Sequence, residues 1–295
     1  MLQAEPLANL LLACAFVSAM AQKRAKGPKT IAGLGLLTGG LIALSALARP
    51  AAYLLWIPMA LWIAIARPRW RLIAAATLAL AGLLGAGLWI NHNAMTYGHR
   101  SFSTIGNYNL LYYRAASVMH QATGEDITDV YAELARRVEA EAGNDATEIT
   151  AMQRHTHYAR TTELQAAMTK TAIEIMLRNP VQYVATLPVG LLRVLLQVSG
   201  PLNWIGLLWN AVLLAAVGVG LGKLARQSHW ADMAFLLLPC GYFIAGTLLV
   251  QTSGIDTRAR VMVTPLLAIM AAQGLMYLLN RRRAASASPS PRGGS

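Results

Sequence analysis

Apolar runs of membrane length, each closed by a short cluster of arginine or lysine, constrain this chain more than any other feature. The runs cover about Pro6 to Gln22, Ile31 to Ala48, Ala51 to Ala66, Leu72 to Ile90, Trp204 to Leu221, Ala234 to Val250 and Val261 to Leu279. A helix needs about 20 such residues to cross the ~30 Å hydrocarbon core, and several of these runs sit at the short end of that range. The reading is an all-α polytopic membrane protein with about seven transmembrane helices. Composition agrees: 56% of the chain is hydrophobic and 13% charged, against about 25% charged in soluble domains.

A net charge of +12 would suggest a nucleic-acid partner if the charges were spread over one surface. They are not. Lys23 to Lys29, Arg67 to Arg71, Lys223 with Arg226, and Arg281 to Arg283 all fall on one side if the runs cross alternately. The opposite short connections hold only Arg49, Arg258 and Arg260. The positive-inside rule then predicts an N-terminus and a long polar stretch outside, and a cytoplasmic C-terminus. No basic region precedes the first run, so it does not read as a signal peptide. Cys14 and Cys240 lie inside apolar runs, which argues against a disulfide framework.

The chain divides accordingly. Residues 1–90 hold four spans and residues 201–283 hold three. Residues 91–180 form an extracytoplasmic, mostly helical domain, and 284–295 a disordered Ser- and Pro-rich tail. Within the polar domain, Val130, Leu134 and Val138 at fourfold spacing predict one helix over Asp129 to Ala142. A second is predicted over about Ala146 to Leu177, ending before Asn179-Pro180. Asn91 to Asn109 reads as a loop above the membrane. The apolar segment at 181–200 starts outside and is followed by a span that also starts outside. Parity therefore makes it a surface-lying interfacial or re-entrant helix, in keeping with its internal Pro188 and Arg193.

Candidate chemistry is sparse. His155 and His157, two apart on a helix, point to different faces and do not suit one metal ion. The carboxylates of Glu125 to Glu148 alternate with Arg136 and Arg137 as on a solvated helix. The outer span ends are more informative. Arg49, Arg258 and Arg260 could grip an anionic phosphate with paired hydrogen bonds, and Glu5 at the edge of the first span could act as a base. A transporter is less well supported, because no span interior carries the charges of an ion pathway.

Several stretches, taken in order, resemble one family. They are Ala4-Glu5-Pro6-Leu7 before an apolar run, the Gly-rich span from Gly33 to Arg49-Pro50, and Trp89-Ile90-Asn91-His92-Asn93 through Tyr97-Gly98. Ala172 to Tyr183 with Asn179-Pro180, and Thr257-Arg258-Ala259-Arg260 with Pro265, complete the set. From about residue 4 to 280 the chain resembles the GT-C glycosyltransferases, in the large bacterial group related to protein mannosyltransferases and aminoarabinose transferases.

The resemblance implies transfer of a sugar from a polyprenyl-phosphate-linked donor to a lipid, glycan or protein acceptor at the outer face of the bacterial inner (plasma) membrane. It implies Glu5 as catalytic carboxylate, and Arg49, Arg258, Arg260 and Asn93 as substrate-binding residues. His92 stands where the family often has Arg. The family's main catalytic Asp lies in a first outer loop, after an initial span, and neither is found here. The expectation is an N-terminally shortened, catalytically incomplete chain, or one whose partner subunit supplies those elements. A non-catalytic membrane subunit or lipid-carrier-binding protein on the same scaffold is the alternative. No cofactor is read from the residues, and a divalent cation is left open. Membrane lipids and the sugar donor are the expected partners, and nucleic acid is not.

Overall fold

The computed structural model describes residues 4–142, 162–196, 203–250 and 262–287, and among them there is helix and no strand. The chain opens with α1 (Ala4–Arg24) and α2 (Pro28–Ala48). Pro28 starts α2 where its missing N–H costs nothing. The helix ends at Ala48 because Arg49 precedes Pro50 and takes an extended backbone, φ −145° and ψ 105°. After a 3-10 turn at Pro50–Ala52 comes α3 (Trp56–Ala66), bounded beyond Arg67 by Pro68. The next helix, α4 (Arg71–Tyr97), stops at Gly98, whose φ of 76° is the left-handed value glycine accepts without strain.

The stretch expected as a loop from Asn91 therefore starts as helix. Asn91 to Tyr97 continue α4, because Asn, His and Thr weaken a helix without breaking it, and the first true stop is Gly98.

A polar layer follows: α5 (Ile105–Tyr108), a π-helical segment Asn109–Ala115, α6 (Ala116–Thr123), α7 (Ile127–Ala142), α8 (Thr162–Arg178) and α9 (Pro180–Leu196). The second predicted helix of this layer lies partly outside the described residues, and its described part is α8. The chain then forms α10 (Asn203–Arg226), α11 (Trp230–Val250) and α12 (Thr264–Ala287).

Among the described residues, five helices are long and apolar enough to cross a membrane: Ala4–Arg24, Pro28–Ala48, Pro68–Tyr97, Trp204–Arg226 and Trp230–Leu249. Pro50–Ala66 and Thr264–Asn280, read from sequence as the third and seventh spans, are shorter apolar helices. Leu10, Val17, Leu37, Leu84 and Leu88 turn outward while the polar side chains Ser18, Gln22, Thr38 and Ser45 are buried. That inversion belongs to an all-α membrane protein, whose solvent on the flanks is hydrocarbon.

Close backbone approach organises the first bundle. An added Cβ on Gly39 would stand 2.2 Å from the Leu78 carbonyl, one on Gly35 would meet Thr77, and one on Gly85 would meet Ala43. So α2 and α4 lie side by side, running the same way. The fully buried Gln22 clamps three helices by donating to Ile31 O (3.1 Å) and Ala74 O (3.0 Å). Thr38 donates to Ser18, and Ser45 Oγ to Ala8 O at 3.1 Å. Small residues and interhelical hydrogen bonds of this kind hold helices together where lipid is as apolar as leucine.

The polar layer has its own core, in which Tyr108, Leu111, Val118, Leu134, Leu164 and Met168 are buried.

The glycine contacts can be tested by substitution. Gly39→Ala should destabilise the detergent-solubilised protein by about 1–3 kcal/mol through overpacking. Gly40→Ala, with nothing within 4 Å of its added methyl, should be neutral or stabilise by up to about 1 kcal/mol. Parallel thermal unfolding of the two variants checks the contrast.

Candidate functional site at the polar-layer end

The helix bundle has two chemically different ends. At one, Arg67 donates to Lys23 O (2.9 Å) and to Ala25 O, Lys23 pairs with Asp232, and the Trp62 indole donates to Ala231 O at 2.7 Å. These contacts gather the end of α1, the end of α3 and the start of α11. Lys223 and Arg226 reach the same end through the tight turn at Ser228 that leads from α10 into α11. This is the basic end.

At the other end, under the polar layer, Arg49 Nη1 donates to Glu5 Oε1 at 2.9 Å, and each side chain is about 20% exposed. The two residues are far apart in sequence but adjacent in space. Ser45 Oγ on Ala8 O sets the register of α1 against α2, and one turn further on that register brings position 49 beside position 5. Asn9, one turn below Glu5, keeps its Oδ1 buried with no hydrogen-bond partner among the described residues.

The turn that carries Arg49 is braced from α11. Tyr242 Oη donates to Ala51 O (2.8 Å) and accepts from Leu54 N (3.2 Å). With α2 and α4 in register at Ala43 and Gly85, Arg49 stands about level with Asn91. The polar last turns of α4 rise above it.

Asn93 is placed differently from the expectation of a substrate ligand. It is buried, and its Nδ2 donates to Ser101 O (2.9 Å) and Phe102 O (3.2 Å). The Trp89 indole also donates to Phe102 O, and the Phe102 ring stacks on Tyr53 at 5.0 Å. Asn93 therefore folds the 98–104 loop back onto the segment that follows Arg49. It shapes the site from behind.

Sequence reasoning missed two groups. One is the ring series Trp89, His92, Tyr97 and His99, with successive centroids 5.2, 6.1 and 6.1 Å apart. Its first step, Trp89 to His92, has the i, i+3 spacing that could have flagged it. The other is Tyr242, whose partners lie almost two hundred residues earlier and which no local pattern announces.

Arg258, Arg260, His155 and His157 lie outside the described residues. Among the described residues no group of three or more His, Cys, Asp or Glu is placed to hold a metal ion. The arrangement under the polar layer offers one carboxylate and one guanidinium, both partly shielded. Such a pair can bind an anion on the Arg fork and accept a proton at the carboxylate.

No family model matches the chain, and no curated protein or solved structure matches it.

The strength of the pair can be measured by a double-mutant cycle. Glu5→Gln, Arg49→Gln and the combination should show a coupling of about 0.5–1 kcal/mol in chemical unfolding, the upper part of the range of exposed ion pairs. Additive effects would mean that the two residues do not interact in the membrane.

Proposed function

We propose that this chain is a membrane glycosyltransferase of the GT-C type. It takes a sugar from a polyprenyl-phosphate-linked donor and passes it to a lipid, glycan or protein acceptor at the outer face. The observation that carries this reading is the Glu5–Arg49 pair at the end of the bundle covered by the polar layer. A carboxylate and a guanidinium at such a boundary suit a donor whose tail lies in lipid and whose phosphate and sugar lie above it.

In this reaction the acceptor hydroxyl oxygen attacks the anomeric carbon. The bond from that carbon to the phosphate oxygen breaks, and the lipid phosphate leaves with the bonding electrons. Arg49, with Arg258 and Arg260, offsets the charge on the departing phosphate, and Glu5 takes the acceptor proton.

Orientation is part of the same proposal. Lys23, Lys26, Lys29, Arg67, Arg69 and Arg71 cluster at the basic end, which faces the cytoplasm by the positive-inside rule. The polar layer and the Glu5–Arg49 pair then face outward, with Pro50–Ala66 and Thr264–Asn280 completing seven crossings.

A non-catalytic donor-binding subunit is the second reading. One observation favours it: apart from Asp232 at the basic end, Glu5 is the one carboxylate on the described residues of α1 to α4 and α10 to α12, and it is already engaged by Arg49.

Two measurements test these readings. In a background with Cys14 and Cys240 replaced, a cysteine at the exposed position 121 should react with an impermeant thiol reagent on whole cells, and one at 227 should not. The reverse pattern would put the pair in the cytoplasm and end the outer-face reading. In proteoliposomes, Arg49→Ala, Arg258→Ala or Arg260→Ala should weaken binding of a polyprenyl-phosphate sugar by about 10- to 100-fold, equivalent to about 1.5–3 kcal/mol. Lysine should restore only part of it. Binding without transfer, unchanged by Glu5→Gln, would select the donor-binding subunit, and unaltered binding in all three alanine variants would remove both readings.

A further inference from the structure

The helix α9 has its polarity inside out. Its protein-facing stripe is Thr186, Gly190 and Val194, all buried at fourfold spacing. Its outward face carries Val181, Val184, Leu191 and Leu192, exposed by 74%, 59%, 37% and 56%. At 3.6 residues per turn the half-buried Gln182 and the exposed Arg193 fall on the flank next to the buried stripe, and the side opposite that stripe is apolar. A helix bordering water shows the opposite arrangement. This outward face calls for hydrocarbon.

The ends of α9 set its depth. Near its start, the fully buried Arg114 of the π-helical segment stands 4.3 Å over the Tyr183 ring and donates to Tyr183 O at 3.3 Å. Burial pulls the Arg114 guanidinium pKa down, and the contact with Tyr183 acts the other way. This anchors the first turns of α9 to the polar layer. At the far end, the buried Asn210 of α10 donates to Leu196 O at 3.3 Å. Position 210 lies seven residues into α10, about 10 Å along its axis. Exposed Trp204 and Trp209 begin that same helix, as interfacial anchors do.

A 17-residue helix is about 26 Å long. Upright, it would end near the far side of the membrane, but its last turn ends beside Asn210. A last-turn carbonyl that ended in water would need no protein donor. One that ends in hydrocarbon does, because an unsatisfied group there costs several kcal/mol.

We infer that α9 is a lipid-binding strap: it enters the leaflet next to the polar layer obliquely, buries its Val181, Val184, Leu191 and Leu192 face among acyl chains, and stays within that leaflet. Arg114 is the positioning residue that fixes its upper end. The occupant of the outward face is bilayer lipid. Continuity with the exposed apolar faces of α10 supports this, since Ile205, Leu208 and Val212 open onto the same solvent. The inference does not depend on sugar transfer.

Spin labels at positions 184, 191 and 192 and at the exposed layer position 121 test it. The full chain is used in vesicles of phosphatidylcholine and phosphatidylglycerol, with Cys14 and Cys240 replaced. Collisions with oxygen should exceed those with a water-soluble nickel chelate at 184, 191 and 192, and the reverse should hold at 121. Depth should increase from 184 to 192 but stop short of the midplane, about 15 Å down. Three outcomes overturn the strap: nickel access along the face, a label at 192 on the midplane, or exclusion of both reagents, which would mean that a protein covers the face. Arg114→Gln, or Tyr183→Leu where the first does not fold, should increase the mobility of the label at 184. Unchanged mobility in a folded variant removes the pin.

Discussion

The helices that precede the polar layer in sequence and those that follow it meet through α3 and α11, and most of the architecture follows from how that contact is held. Lipid supplies no hydrophobic force between helices, so the contact needs specific polar bonds. They occur at its two ends. Near the basic end, the Trp62 indole caps Ala231 O and Lys23 pairs with Asp232. Near the polar-layer end, Tyr242 both donates to and accepts from the turn after Arg49. Between them, the Trp62 and Phe235 rings pack at 4.7 Å. The short helix α3 is thus fixed at both ends by its neighbour, and the turn carrying Arg49 inherits that rigidity. A guanidinium held on a braced turn presents its donors with little ordering left to do when an anion arrives.

What could be read from the sequence, and what could not, follows the range of the forces involved. Apolar runs and basic punctuation are local, and α1, α2, α4, α10 and α11 stand where those runs predict. Proline acts locally too, which is why α2 ends just before Pro50 and α3 just before Pro68. The overrun of α4 past Asn91 reflects a different balance. Each polar residue there costs only a few tenths of a kcal/mol in helix propensity, and Trp89 and Asn93 recover more by holding the Phe102 carbonyl. A composition boundary is not a helix boundary. The Glu5–Arg49 pair depends on how α1 slides against α2, which Ser45 and Ala8 decide. Asn93 shows the same limit from the other side. Its place in a span exit was legible, but the loop that uses both of its amide hydrogens was not.

The polar layer and the bundle end beneath it form a graded environment. Along α4 the side chains pass from the lipid-facing Leu84 and Leu88, through Trp89 and His92, to Asn93 and the Gly98 stop. The pair on α1 and α2 stands where that gradient turns polar. Deeper in lipid its charges would demand full compensation, and well above the membrane they would be screened by water and salt. At this level the carboxylate–guanidinium contact is made while each side chain keeps about 20% of its surface exposed.

Under the proposed function, an exchange of partners at this pair decides what the site can do. On the proposed function, a phosphate oxygen and the Glu5 carboxylate would compete for the Arg49 Nη1 that now pairs with Glu5, so an arriving anion would free the carboxylate as it binds. If a second cation receives the anion, Arg49 can keep Glu5, and the carboxylate stays aimed but occupied. On that proposal, anion binding and liberation of the Glu5 carboxylate would be one event or two, according to how many arginines share the phosphate. Arg258 and Arg260 follow Val250, the last residue of α11, by eight and ten positions in the sequence, and Tyr242 of α11 braces the Arg49 turn. The chemistry of the pair and the packing of α3 on α11 are therefore coupled through one hydroxyl group. On the proposed function, a change at Tyr242 that left every charge in place would still alter how Arg49 divides itself between Glu5 and a bound phosphate.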